Sequence, residues 1–142
     1  MKVVDLNLLL YAVNEDAPEH APARAWWEST LNGEEQVGLA WAVVLGFLRL
    51  STRRGVLPRP MGAAEALDVV NEWVAHPLVT LLHPGDSHWG VLRGLLDATG
   101  TGGNLTTDAH LAALALEYDA VLYSTDRDFA RFRPLRFVNP IG

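Results

Sequence analysis

Three aspartates stand where an α/β protein presents its chemistry. Asp5 closes the apolar run from residue 1 to 4, Asp126 follows Val121-Leu122-Tyr123-Ser124, and Asp108 lies at the start of a helical pattern over residues 107 to 118. In open α/β sheets ligands bind beyond the carboxyl ends of the strands, so acids placed just past two short β-branched or aromatic runs are expected to converge on one rim. Asp108 shares its helix face with Leu111, Ala112 and Ala115, the i+3, i+4 and i+7 positions that point toward a core. An acid on such a face needs a partner. Clustered carboxylates repel and raise one another's pKa, so they stay ionised only beside a cation. The chain offers one lysine, at position 2, and no arginine next to Asp5 or Asp108. A hard divalent ion, Mg²⁺ or Mn²⁺, is the simpler match to an all-carboxylate set without cysteine or a histidine pair at ligand spacing. The plainer reading makes Asp5 and Asp126 turn residues and Asp108 a first-turn acid favoured by the helix dipole.

The elements that must position these acids alternate along the chain. Strand signals fall at residues 1–4, 37–40, 78–82 and 121–123, with a last edge strand at 137–138; helical patterns cover 6–12, 18–31, 41–52, 63–75, about 86–98 and 107–118. Gly55, Pro58, Pro60 and Gly62 mark one loop, and residues 100–104 another. Along 63–75 the core face is expected at Leu67, Val70, Asn71 and Val74. Alternating strands and helices predict a mostly parallel sheet of four or five strands covered on both faces, joined by right-handed crossovers. At 142 residues and 49% hydrophobic content the chain is expected to form one domain over 1–142, with no internal repeat or linker. The absence of a long apolar stretch and of a leader-like start points to a cytoplasmic protein without a membrane anchor, and zero cysteines exclude disulfides and thiolate chemistry.

A net charge of −6 argues against a nucleic-acid partner only until its distribution is read. Residues 49–59 hold Arg49, Arg53, Arg54 and Arg59 with no acid, and residues 120–142 hold Arg127, Arg131, Arg133 and Arg136 against Asp126 and Asp128. Arginine forks suit phosphates, so Arg49, Arg53 and Arg127 are candidate substrate contacts; the competing reading is a solvated helix face and a solubilising tail. The five histidines read as structural or surface residues, His110 lying about 200° around its helix from Asp108. Adjacent Trp26 and Trp27 point about 100° apart, so one is a candidate for a partner surface, whereas Trp41 and Trp73 read as core or core-edge.

Three segments together carry a family resemblance that spans nearly the whole chain: residues 4–12 (VDLNLLLYA), 103–115 (GNLTTDAHLAALA) and 123–129 (YSTDRDF). In order and spacing they resemble PIN-domain ribonucleases, and more narrowly the toxin subunits of VapBC toxin–antitoxin pairs. The resemblance implies a three-layer α/β/α fold and a Mg²⁺- or Mn²⁺-dependent endoribonuclease that leaves a 5′-phosphate and a 3′-hydroxyl. It implies that Asp5, Asp108 and Asp126 match the acidic-site positions, with Asp128 a fourth member and Asn7 supporting the first acid. It also implies an antitoxin of the VapB kind that lays an amphipathic segment in an apolar groove, and a symmetric homodimer.

One departure stands out. The family motif has a glutamate before Phe-Leu-Arg, and this chain reads Gly46-Phe47-Leu48-Arg49. Glycine inside a helix costs about 1 kcal/mol relative to alanine, so local propensity gives no reason for it. Three explanations stay open: loss of the acid from a toxic gene or in an altered sequence, a weakened or non-catalytic homologue, or replacement of the ligand by Glu15 or Asp128. A PIN-like protein that binds RNA or antitoxin without cutting is therefore the alternative reading. A metal-dependent phosphatase ranks below it, because Asp5-Leu6-Asn7 lacks the second acid of a paired-aspartate loop.

Overall fold

The computed structural model describes residues 1–100 and 102–142. Five parallel strands, β1 (Lys2–Val4), β2 (Val37–Ala40), β3 (Val79–Leu82), β4 (Val121–Tyr123) and β5 (Phe137–Val138), form one sheet in the order β3-β2-β1-β4-β5. Each is short and apolar because both sheet faces are covered: all four residues of β2 are buried, as are Val3, Val4 and Leu122. Register is set by Lys2 opposite both Val37 and Val121, which brings the carboxyl ends of β1 and β4 level.

Six helices complete the layers: α1 (Leu6–Val13), α2 (His20–Leu31), α3 (Trp41–Ser51), α4 (Ala63–Ala75), α5 (His88–Thr99) and α6 (Leu105–Glu117). In the first group α2 packs on α1, α1 on α3 and α3 on α4; in the second, α5 packs on α6. The three-layer α/β arrangement expected from the alternation is the one found. β2 passes into α3 without a linker. The chain leaves β1 toward β2 and β3 and returns on the other side to β4, so the strand order reverses between β1 and β4. That reversal opens the crevice in which an α/β sheet takes ligands.

Several expectations shift. The core face of α4 is Ala66, Val70 and Trp73, while Leu67 is 56% exposed and Asn71 faces solvent. The two stripes differ by one residue, about 100° of helix, and the large Trp73 ring decides by packing edge-on against Phe47 and Trp27, at centroid distances of 4.7 and 5.8 Å. Trp41, expected as a core or core-edge residue, is 45% exposed as the first residue of α3. Trp27 is buried, and Trp26 stacks on Tyr123 at 5.5 Å, so the adjacent pair is accommodated on two sides of α2. α2 starts at His20 rather than residue 18, and α6 starts at Leu105 rather than 107, which makes Asp108 its fourth residue. α5 ends at Gly100, whose φ of +67° supplies the left-handed residue that closes a helix. Of the loop expected over residues 100–104, Thr101 lies outside the described residues.

Candidate metal centre

Asp5 is the last residue before α1 and caps it: extended backbone lets its Oδ1 accept the Leu6 amide at 2.8 Å, while its own amide donates to the Tyr123 carbonyl of β4. Asp126 plays the same part for a 3-10 turn over Arg127–Arg131, its Oδ1 accepting the Asp128 amide at 2.9 Å. The turn reading of these two acids is thus correct as local structure. Capping uses one oxygen of Asp126 and leaves the other available.

Ser124 joins the two. Its fully buried hydroxyl donates to Asp5 Oδ2 at 2.7 Å and accepts the Asp126 amide at 3.0 Å and the Asn7 side-chain amide at 3.4 Å. A hydroxyl has one proton and two lone pairs, so Ser124 is saturated and fixes Asp5, Asn7 and Asp126 at once. Sequence reasoning quoted this serine within a motif but gave it no role; a hydroxyl two residues before a turn aspartate, directly after a strand, was the available signal. Asn7 Oδ1 is buried with no hydrogen-bond partner among the described residues.

Asp108 comes from the opposite layer, in the first turn of α6. Carboxylate oxygens of Asp108, Asp126 and Asp128 lie within 4.8 Å of one another. Asp5 is not in this compact trio, yet its charge acts on Asp108 and that of Asp126 acts on Asp5. Desolvation first, then Asp126, Asp5 and Asp128, push Asp108 up to about 6 from 3.8. Burial likewise raises Asp5, against the lowering pull of the Ser124 hydroxyl and the Leu6 amide.

No lysine, arginine or histidine among the described residues forms an ion pair with Asp5, Asp108 or Asp126; only Arg131 reaches the group, 3.7 Å from the half-exposed Asp128. A trio of hard oxygens without a protein counter-charge fits a divalent cation with oxygen preference. Of the two acids weighed as substitutes at position 46, Asp128 lies in the group. Glu15 does not: it follows the far end of α1, about 12 Å of helix from Asp5, and faces Arg59 at 3.8 Å.

Arg127 is exposed and directly follows Asp126. Arg49 and Arg53 are also exposed but lie in and beyond the last turn of α3, about 12 Å of helix from the rim where α3 begins. His110 faces α5, as its angle from Asp108 predicted. There it joins a partly buried chain that the sequence reading missed: Glu117 Oε2 meets His88 Nδ1 at 2.7 Å, and His88 Nε2 meets His110 Nδ1 at 2.9 Å. Glu117 Oε1 also accepts the Gly85 amide and the Ser87 hydroxyl, tying the loop before α5 to α6.

The model of the PIN domain matches residues 2–134. Ribonuclease VapC33 of Mycobacterium tuberculosis is 46% identical over 141 residues, covering 99% of both chains, and Ribonuclease VapC37 of the same organism is 44% identical over 140 residues, covering 99% of this chain and 97% of the other. Among solved structures, VapBC-1 from nontypeable Haemophilus influenzae aligns with a TM-score of 0.72 at 16% identity, over 99% of this chain and 98% of that one. Mycobacterium tuberculosis VapC20, described as a Sarcin-Ricin loop cleaving toxin, aligns with a TM-score of 0.69 at 20% identity, over 96% and 99%.

Proposed function

The chain belongs to the PIN-domain family, and on that premise we propose that it is a divalent-metal-dependent endoribonuclease toxin, restrained by a cognate VapB-like antitoxin. The observation that carries this reading is the carboxylate trio of Asp108, Asp126 and Asp128, unneutralised by any basic side chain beyond Arg131 among the described residues. It stands at the strand-order reversal, with Asp5 locked beside it. Its relatives carry the name ribonuclease over the full chain length.

Asp108, Asp126 and Asp128 would hold Mg²⁺ or Mn²⁺, with Asp5 as the fourth acid of the centre. When bound, the ion supplies Lewis acidity for phosphodiester hydrolysis and lowers the pKa of water. The protein's own residues orient and neutralise. Ser124 and the Leu6 amide fix the Asp5 carboxylate, and the cap on Asp126 fixes that of Asp126. Water attacks phosphorus in line, its proton passes to a carboxylate of the group, and the bond to the 3′-oxygen breaks, the leaving oxygen taking a proton from solvent to give a 3′-hydroxyl opposite the 5′-phosphate. No histidine is needed as base: His88 is engaged with Glu117 and His110 with His88. Arg127, exposed beside Asp126, would meet a phosphate next to the cleaved bond. Arg49 and Arg53 would meet RNA farther along the strand.

Solved structures of this fold include VapBC-1 from nontypeable Haemophilus influenzae and VapBC2 from Rickettsia felis bound to a DNA fragment from their promoter. We extend that to an antitoxin partner and a symmetric dimer for this chain. The test is RNA cleavage by the purified protein with Mg²⁺, Mn²⁺ or EDTA, with Asp108→Asn as control and small phosphate esters as competing substrates, repeated after co-expression with the neighbouring reading frame. Metal-dependent RNA cleavage lost in Asp108→Asn supports the reading. Gly46 favours one second reading, a PIN-like chain that binds RNA or antitoxin without cutting; binding without cleavage in the same assay selects it.

A further inference from the structure

Gly46 is buried in the interior of α3, and a Cβ built on it would stand 2.7 Å from Cδ2 of Leu6. Real Cβ atoms do not approach that closely, so the Leu6 side chain occupies the hollow that the missing side chain leaves. Leu6 is also the residue whose amide holds Asp5 Oδ1. One residue therefore secures the first acid by its backbone and, by its side chain, packs on α3 at Gly46. This gives Gly46 a packing reason that helix propensity did not supply.

The two flanks of the centre then differ in kind. On the α6 side three carboxylate oxygens lie within 4.8 Å of one another. Octahedral bonds of about 2.1 Å place neighbouring ligands about 3 Å and opposite ligands about 4.2 Å apart, so a trio within 4.8 Å closes on one small ion with only small side-chain rotations. A pair of ions about 3.5–4 Å apart requires acids on both flanks. The α3 flank offers an isobutyl group and a glycine where a carboxylate would be needed, and of the acids of the centre only Asp5, held by the Leu6 amide and the Ser124 hydroxyl, lies on that side. We propose that Leu6, seated on Gly46, closes the α3 flank of the acidic centre to cations and restricts the centre to one divalent ion, held by Asp108, Asp126 and Asp128. The inference rests on reading the trio as a metal centre.

Mn²⁺ titration of the EDTA-treated, dialysed full chain, followed by calorimetry and by the EPR signal of free Mn²⁺, reads the stoichiometry without any activity measurement. One Mn²⁺ per chain is expected, weakened at least tenfold in Asp128→Asn. Gly46→Glu alone should still bind one, because Leu6 blocks the new carboxylate, whereas Leu6→Ala combined with Gly46→Glu should bind two, with spin-coupled Mn²⁺ in the EPR spectrum. Two ions in the unaltered chain, a second ion gained by Gly46→Glu alone, unchanged affinity in Asp128→Asn, or a folded double variant that still binds one would each overturn the closure while leaving the metal reading in place. No Mn²⁺ bound by the unaltered chain overturns the metal reading itself. The stoichiometry of the unaltered chain decides even where the double variant does not fold.

Discussion

Replacing Asp108 by asparagine should stabilise the metal-free protein at neutral pH and remove its response to divalent ions. Desolvation and the charges of Asp126, Asp5 and Asp128 raise Asp108 from 3.8 to about 6 in the folded chain. Because the folded value lies above the unfolded one, the folded state binds the extra proton between about pH 4 and about pH 6. The penalty is therefore absent below about pH 4 and grows as pH rises through about pH 6, after which it is constant. Two pKa units correspond to about 3 kcal/mol. Asp108 is only partly buried, and solvent screening reduces this to about 1 kcal/mol. In a domain of this size that is a rise in Tm of about 3–5 °C for Asp108→Asn. Thermal melts in EDTA at about pH 8 should show it, and melts at about pH 4 should show little difference between the two proteins. Millimolar Mg²⁺ or Mn²⁺ should then raise the Tm of the unaltered chain and leave that of the variant in place. A variant that melts at or below the unaltered chain in EDTA at about pH 8 refutes the repulsion argument. A variant that still responds fully to Mn²⁺ refutes the ligand assignment.

Ser124→Ala removes the donor to Asp5 and the acceptor for the Asp126 amide in a fully buried position; denaturant titration should show a loss of about 1–3 kcal/mol. His88→Leu removes the ring that bonds both the Glu117 carboxylate, 8% exposed, and His110, and should cost about 1–3 kcal/mol in the same measurement, the loss of a largely buried hydrogen bond. Gly46→Glu alone drives its Cβ into Leu6 and should lose about 1–3 kcal/mol, a loss reduced when Leu6→Ala is present. Arg127→Ala should raise KM for RNA with kcat nearly unchanged and flatten the salt dependence of binding, if the exposed guanidinium meets phosphate as proposed rather than the cleaved bond.

The sequence by itself determined the order of strands and helices, because short continuous apolar runs bounded by turn residues and period-3.6 stripes are local signals. Val37–Ala40 and Ala63–Ala75 were legible to the residue. It also marked Asp5, Asp108 and Asp126 as acids in positions that need explaining, since an acid on an apolar helix face or just past a strand is visible in one dimension. Local periodicity was less able to choose between stripes one residue apart: on α4 the bulk of Trp73 against Phe47 and Trp27 decided, and Trp41 turned outward where its hydrophobicity alone suggested the core. Only the tertiary structure placed Asp128 rather than Asp5 in the compact trio with Asp108 and Asp126, because that grouping depends on how a 3-10 turn presents its side chains to a helix from the opposite layer. Ser124 as the junction of Asp5, Asn7 and Asp126, and Leu6 in the hollow of Gly46, are contacts across 117 and 119 residues in the first case and about 40 in the second. Hydrogen bonds and van der Waals contacts act over a few ångströms of space. No spacing along the chain records which distant residues will share that space until the sheet has brought β1 beside β4 and α1 against α3.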